Sequence, residues 1–395
     1  MSEKMTPEIR FRGFSDDWEQ RKLGDLNKTV RSYSLTRDVE TSDITNLRYI
    51  HYGDIHKKIA NFINAETKLP NIKDGIYEPL SKGDVVVADA SEDYLGIAEP
   101  SILLIVPSDK IVAGLHTIAI RPTKMSSLYL YYLLHTTDFK RFGSRVGTGL
   151  KVFGITKVNL LKYETRFPKL KEQVKIGELL KKIDSTIALH QQKLDQLSKM
   201  KISLLQDIFP TDGQNRPKIR FTYFYDIWEK RKLSSKIISE LKGKARREMV
   251  GNGSEYLDTI HLNGGESQKV NSPSNVTKED IIILWDGSKA GTIYHGFSGA
   301  LGSTLKSYKI KGSSSFLYQY LKKYQHLIYE NYRTPNIPHV NKNFTNEFYI
   351  YETKNEEENK IGKLLNNIDA IVDLHQQKID KLQQIKKAYL QKMFI

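Results

Sequence analysis

The sequence predicts an α+β protein built as a tandem pseudo-two-fold repeat, with two globular domains separated by a pair of long antiparallel coiled-coil helices. Three observations predict it. One segment recurs 210 positions later, a second recurs at an offset of 185, and both copies of the second carry a heptad stripe of apolar residues. The expected boundaries are 1–167 for the first globular domain, 168–210 for the first long helix, 211–351 for a linker and the second globular domain, and 352–395 for the second long helix.

The first repeated segment is PEIRFRGFSDDWEQRKL at residues 7–23 and PKIRFTYFYDIWEKRKL at residues 217–233, identical at eleven of seventeen positions. Ile50 and His51 pair with Ile260 and His261 at the same offset. Further on, KGDVVVADA from Lys82 matches KEDIIILWD from Lys278 at an offset of 196, so the first copy carries additional residues ahead of this strand.

Between these landmarks, short β-branched runs predict strands at 84–88, 101–106 and 118–121, and at 281–285 and 307–310. An aromatic helix is expected in each domain, LYLYYLLHTTDFKRF from Leu128 and FLYQYLKKYQHLIYENY from Phe316. Loops rich in Gly, Ser and Asn separate the strands, as DGSKAGT from Asp286 does. The cluster FGSRVGTG from Phe142 reads as a flexible basic loop.

The second repeated segment, residues 172–210 and 357–395, is identical at nineteen of thirty-nine positions. Its stripe runs Ile176, Leu180, Ile183, Ile187, His190, Leu194, Leu197, Lys201, Leu204, Ile208, and then Ile361, Leu365, Ile368, Val372, His375, Ile379, Leu382, Lys386, Tyr389, Met393. Alternating steps of four and three make a coiled-coil seam rather than the broad face of a globular helix. Two matched seams in one chain are most simply satisfied by each other, antiparallel. His190 and His375 near the helix middles are then polar seam residues that set register. Metal ligation by two histidines is disfavoured, because the third and fourth ligands are missing nearby.

A formal charge of +15 makes a polyanion the natural partner, since cations on phosphates release counterions. A lysine-rich surface alone is the plainer explanation. The absence of cysteine excludes disulfides, thiolate metal sites and a thiol nucleophile. No signal peptide is evident and the apolar runs at 101–106 and 281–285 are far too short to cross a bilayer, so a cytoplasmic location is expected.

The sequence lacks the usual catalytic signatures. The sequence has no G-x-x-x-x-G-K-[ST] or G-x-G-x-x-G loop and no H-E-x-x-H, and with no two prolines adjacent it lacks the amino-methyltransferase motif. The nuclease half-motif E-x-K occurs at Glu66, Glu240, Glu352 and Glu358, never at matching places in the two copies. His51, beside the same Ile as His261, is expected to be structural, near a strand end.

These residues resemble the specificity (S) subunits of type I restriction-modification enzymes. The resemblance covers nearly the whole chain and rests on W-E-x-x-x-L (Trp18, Glu19, Leu23; Trp228, Glu229, Leu233), a K-x-D strand, a loop leading to a helix through Lys157 or Lys342, and E-x-x-K-I-G-x-L-L-x-x-I-D (Glu172 to Asp184; Glu357 to Asp369). Where the family usually shows a proline before that Glu, the chain has Pro168 in the first copy but Thr353 in the second.

The resemblance implies two target recognition domains, each reading half of a split sequence in double-stranded DNA, with helices that set the distance between halves. Two modification subunits would dock, and restriction subunits would join the full complex. Methyl transfer, ATP hydrolysis and cleavage would belong to those partners, S-adenosylmethionine to the complex, and no cofactor or membrane to this chain. Candidate DNA contacts on the loops are Ser91, Arg145, Thr148 and Lys151 in the first domain and Ser288, Lys289, Arg333 and Asn336 in the second. Lys151 and Asn336 superpose at the 185 offset. A competing reading is a coiled-coil scaffold joining two protein partners, which predicts similar surfaces on both domains.

Overall fold

A computed structural model describes residues 6–93, 96–105, 109–149, 152–211, 213–334 and 338–395. The chain divides into two compact units, Met1–His190 with Lys378–Ile395, and Gln191–Gln377. Each long helix therefore contributes to both. Lys151 and Asn336 lie outside the described residues.

In the first unit, a five-stranded sheet runs in the order Asn27–Val30, Thr117–Pro122, Val85–Ala88, Pro100–Leu103, Phe62–Ile63, antiparallel except for the last pair. A parallel pair, Leu47–Ile50 with Lys110–Ala113, lies beside it in sequence. All four residues of Val85–Ala88 are buried, as a β-branched run without alternation requires. The second unit holds an antiparallel four-stranded sheet, Ile237–Lys242, Leu305–Ile310, Ile281–Leu284, Ile293–Tyr294, and a three-stranded sheet of Lys269–Val270, Val250–Leu257 and Ala300–Leu301. The expected aromatic helix is broken in two in each unit. Thr136 starts a new helix, Thr137–Val146, by accepting the Phe139 N–H on its hydroxyl, and Tyr324 separates Ser314–Lys323 from Gln325–Asn331.

The repeated residues build one frame twice. Glu19–Lys22 pairs antiparallel with Glu164–Phe167, and Glu229–Lys232 with Tyr349–Glu352. Trp18 and Leu23 are buried in the first core, Trp228 and Leu233 in the second. Arg10 makes a two-pronged ion pair with Glu172 at 2.7 and 2.8 Å, and Arg220 with Glu357 at 2.6 and 2.7 Å. Both carboxylates are fully enclosed, so the arginine in each first segment is the obligatory partner of the glutamate that opens each helix.

The K-I-G motif has an equally local cause. A Cβ on Gly177 would lie 2.7 Å from the Leu128 Cβ, and one on Gly362 would lie 2.6 Å from the Phe316 N, so only glycine lets each long helix touch the aromatic helix of its own unit. Where Pro168 precedes the first helix, Thr353 of the second copy donates its hydroxyl to Glu357 at 2.7 Å.

The long helices span Leu170–Ile208 and Asn355–Lys392. Every expected seam position on both is buried or half-buried, which is the heptad stripe in three dimensions. Within the first unit, Ile176 and Leu180 share a core with Met393 and Phe394, while Asp184 meets Lys386 at 2.6 Å; the two segments run antiparallel. Within the second unit, Ile361 and Leu365 share a core with Ile208 and Phe209, and Asp369 pairs with Lys201. Asp184 also accepts from the Tyr132 hydroxyl and Asp369 from the Gln319 amide, each at 2.7 Å. The lysines in the apolar stripe are thus paired across the seam, and the final D of the motif ties both helix segments to the globular part of its unit.

The His51 and His261 identity does not survive folding. His51 caps the helix Tyr52–His56 directly after the strand Leu47–Ile50, whereas Asp258 holds that place before Thr259–Leu262. Strand ends govern the correspondence, and the shared letters fall one turn apart.

Candidate nucleic-acid interface

In both units the strand that carries the β-branched run delivers the chain into the same loop environment. Beyond Val85–Ala88, the Asp89 carbonyl accepts the Ile155 N–H at 2.8 Å; beyond Ile281–Leu284, the Trp285 carbonyl accepts the Val340 N–H at 2.9 Å. Ile155 and Val340, each ahead of a long helix, are thereby sewn onto the loop that follows the strand. Backbone pairing fixes the platform and leaves side chains to differ.

In the first unit Ala90–Ser91 pairs with Phe153–Gly154, and Gly154 exchanges hydrogen bonds with Thr148 at 3.0 and 2.8 Å. Ser91 and Thr148 therefore flank one short strand. Thr148 is exposed, but Ser91 is buried, its hydroxyl accepting the Asp93 N–H at 3.3 Å. Arg145 is exposed on the last turn of Thr137–Val146, so the expected basic loop is helical through Val146.

Histidines surround the base of this loop. His56 Nε2 lies 2.8 Å from the Ala90 carbonyl, and His116 Nδ1 lies 3.1 Å from Asp89 Oδ1. Burial pushes the Asp89 carboxyl up despite His116, and burial pushes His51 down. Nearby, burial opposes ionisation of Glu99, yet His135, Lys140 and Lys58 together hold it well below the usual carboxylate range.

In the second unit Ser288 and Lys289 are exposed on a turn closed by Ala290 N–H to the Gly287 carbonyl at 2.9 Å, and Gly287 N–H reaches the Pro338 carbonyl at 2.8 Å. Arg333 donates from Nη1 to the Ser288 carbonyl at 2.9 Å and from Nε to the Tyr329 carbonyl at 3.1 Å, with its guanidinium 5.2 Å from the Tyr329 ring centre. Ser288, Lys289 and Arg333 are brought together, with Arg333 holding the loop that presents the other two. Sequence reasoning missed the adjacent run Lys242-Gly-Lys-Ala-Arg-Arg, whose signal was four cations in six residues. Lys242 pairs with Asp286 and so joins this loop cluster.

His190 and His375 are half-buried at their seam positions. Among the described residues, no group of three or more His, Asp or Glu could hold a metal ion, and no helix is long and apolar enough to cross a membrane.

Residues 15–199 match the family model described as the type I restriction modification DNA specificity domain. The type I restriction enzyme MjaVIII specificity subunit of Methanocaldococcus jannaschii is 30% identical over 178 residues, a match spanning 42% of this chain and 42% of that protein. The crystal structure of the type I restriction-modification S subunit from M. genitalium superposes with a TM-score of 0.70 over 99% of each chain at 16% identity, a likeness of fold. The crystal structure of the HsdS subunit from Thermoanaerobacter tengcongensis aligns over 95% of this chain and 96% of that one at 16% identity, with a TM-score of 0.42. Residues 15–199 thus match the model of the type I restriction modification DNA specificity domain, and the second unit rebuilds the same frame around Trp228, Arg220 and Glu357.

Proposed function

We propose that the chain is the non-catalytic, DNA-reading specificity subunit of a type I restriction-modification complex. Each globular domain reads one half of a split target in double-stranded DNA, and modification subunits, joined by restriction subunits in the full complex, supply methyl transfer, ATP hydrolysis and cleavage. The observation that carries this reading is the contrast within each unit between an invariant frame and a divergent loop platform: Arg10–Glu172 and Arg220–Glu357 coincide, while Asp89-Ala90-Ser91 and Trp285-Asp286-Gly287 occupy the same place with unlike side chains. A scaffold would keep the docking loops alike.

On this reading Arg145, Thr148, Ser288 and Lys289 offer exposed polar groups to DNA, Ser91 and Arg333 shape the loops beside them, and Lys151 and Asn336 are further candidate contacts. His190 and His375 act as register residues of the helix seams. The test is an exchange of residues 24–167 for the corresponding region of another family member, with methylation mapped in cells that supply the modification subunit. One half of the methylated motif should change and the other should persist. A change in both halves would overturn the two-reader model, and cleavage or methylation by the isolated chain would overturn the non-catalytic assignment.

A further inference from the structure

The two domains carry their positive charge in different ways. In the second, the strand Ile237–Lys242 runs out of its sheet into residues 243–247. A Cβ on Gly243 would lie 2.0 Å from the Gly302 carbonyl oxygen, so the chain passes directly against that turn. Lys244 and Ala245 donate their N–H groups to the Leu301 carbonyl, each at 3.1 Å, Ser303 donates to the Ala245 carbonyl at 3.0 Å, and Ala245 is buried. Met249 N–H closes a turn on the Arg246 carbonyl at 3.1 Å, and the Gln268 amide holds the Arg247 carbonyl at 2.7 Å. The backbone of this loop is fixed while Lys244, Arg246 and Arg247 are exposed; among the described residues these three form no ion pair.

The same position in the first domain is identifiable, because Ser32 bridges Ala113 in parallel just as Ala245 bridges Gly302. There the stretch reads Thr-Val-Arg-Ser-Tyr-Ser, residues 29–34, with one cation. Arg31 stacks 5.1 Å from the Tyr33 ring, and the Tyr33 hydroxyl accepts the Glu78 N–H at 2.7 Å. Four other cations of that domain are engaged internally, Arg37 with Asp54, Arg48 with Asp109 and Arg121 with Asp84, each at 2.7 Å, and Lys140 with Glu99 at 3.1 Å, whereas Lys28, Lys73 and Arg145 are exposed but scattered over separate segments.

Resting on the DNA-reading assignment above, we propose that the loop 242–247 is a phosphate grip through which the second domain supplies salt-sensitive affinity for duplex DNA, with no counterpart at the equivalent stretch, residues 29–34, of the first domain. Lys242, tied to Asp286, links the grip to the turn that presents Ser288 and Lys289. Cations held on a rigid backbone and unengaged by carboxylates are those that release counterions when they meet phosphates. They position the duplex without reading it.

The experiment is the salt dependence of binding by the full chain to a labelled 30-base-pair duplex of arbitrary sequence. Arg246→Ala with Arg247→Ala should lower the slope of log affinity against log salt by roughly 1.8, about 0.9 per phosphate contact. From about 50 to 200 mM salt, the wild-type chain should then lose about tenfold more affinity than the variant. Arg246→Lys with Arg247→Lys should keep the slope, and Lys381→Ala with Lys387→Ala, exposed on the second long helix, should leave it unchanged. An unaltered slope in the alanine variant, an equal drop in the helix control, or a drop in the lysine variant would each overturn the grip while leaving the DNA-reading assignment standing. A wild-type chain without salt-sensitive duplex binding would overturn both.

Discussion

The first and second units share a frame and differ in what they hang on it. In the first, charged groups at the base of the loop platform are paired with one another, Glu99 with Lys58, Lys140 and His135 and Asp89 with His116, and Arg145 alone of the described candidate contacts is an exposed cation there. In the second, the equivalent surroundings are glycine-rich turns with outward cations. Duplicated frames with unlike surfaces let a chain change what it meets without changing how it folds. Stability resides in residues that recur, and on the proposed function recognition falls to residues that do not.

Even the frame is not perfectly mirrored, and this can be measured. Arg10→Ala strands Glu172 as an enclosed, unpaired carboxylate and should destabilise the first unit by about 3–5 kcal/mol. Arg220→Ala should cost the second unit less, by about 1 kcal/mol, because Glu357 keeps the Thr353 hydroxyl that stands where the first copy has proline. Hydrogen-exchange protection of the two aromatic helices in the full chain reports each unit separately. Equal losses in both would mean that Thr353 contributes nothing to holding Glu357.

A smaller difference is expected in acid. Glu99 titrates well below its unfolded value, so its contribution is complete above the ordinary carboxylate range, begins to be lost as pH falls into that range and goes on being lost towards its lower folded value. Glu358 in the second unit behaves oppositely: burial raises it against the pull of Lys236, so the neutral form is favoured on folding and its contribution is lost as pH rises. Lowering pH from about 6 to about 4 should therefore weaken the first unit more than the second, and Glu99→Gln should remove that excess. Parallel loss of protection in both units would contradict the assigned roles of these carboxylates.

Much of this architecture was legible in the sequence, for definite reasons. A heptad stripe has one geometric meaning, and all twenty seam residues are buried or half-buried. Arg10, Glu172 and Asp184 recur because each meets a partner that also recurs, and Trp18 and Gly177 because each packs on a part of the frame that is rebuilt in the second unit. Less visible was anything decided by a distant backbone. Ser91 looked like a loop serine but is buried by its pairing with Phe153, and the aromatic helices break at Thr136 and Tyr324, where local capping ends the helical run. The cationic run at 242–247 was present as letters; its meaning depended on Leu301, Gly302 and Ser303 pinning its backbone open.

The central claim, one frame carrying two unlike readers, is tested most directly by sequencing the methylome of a host that expresses this chain with its modification subunit. Two dissimilar loop platforms predict a single asymmetric motif of two unlike halves separated by unread bases. A continuous motif, or two identical halves, would contradict the account.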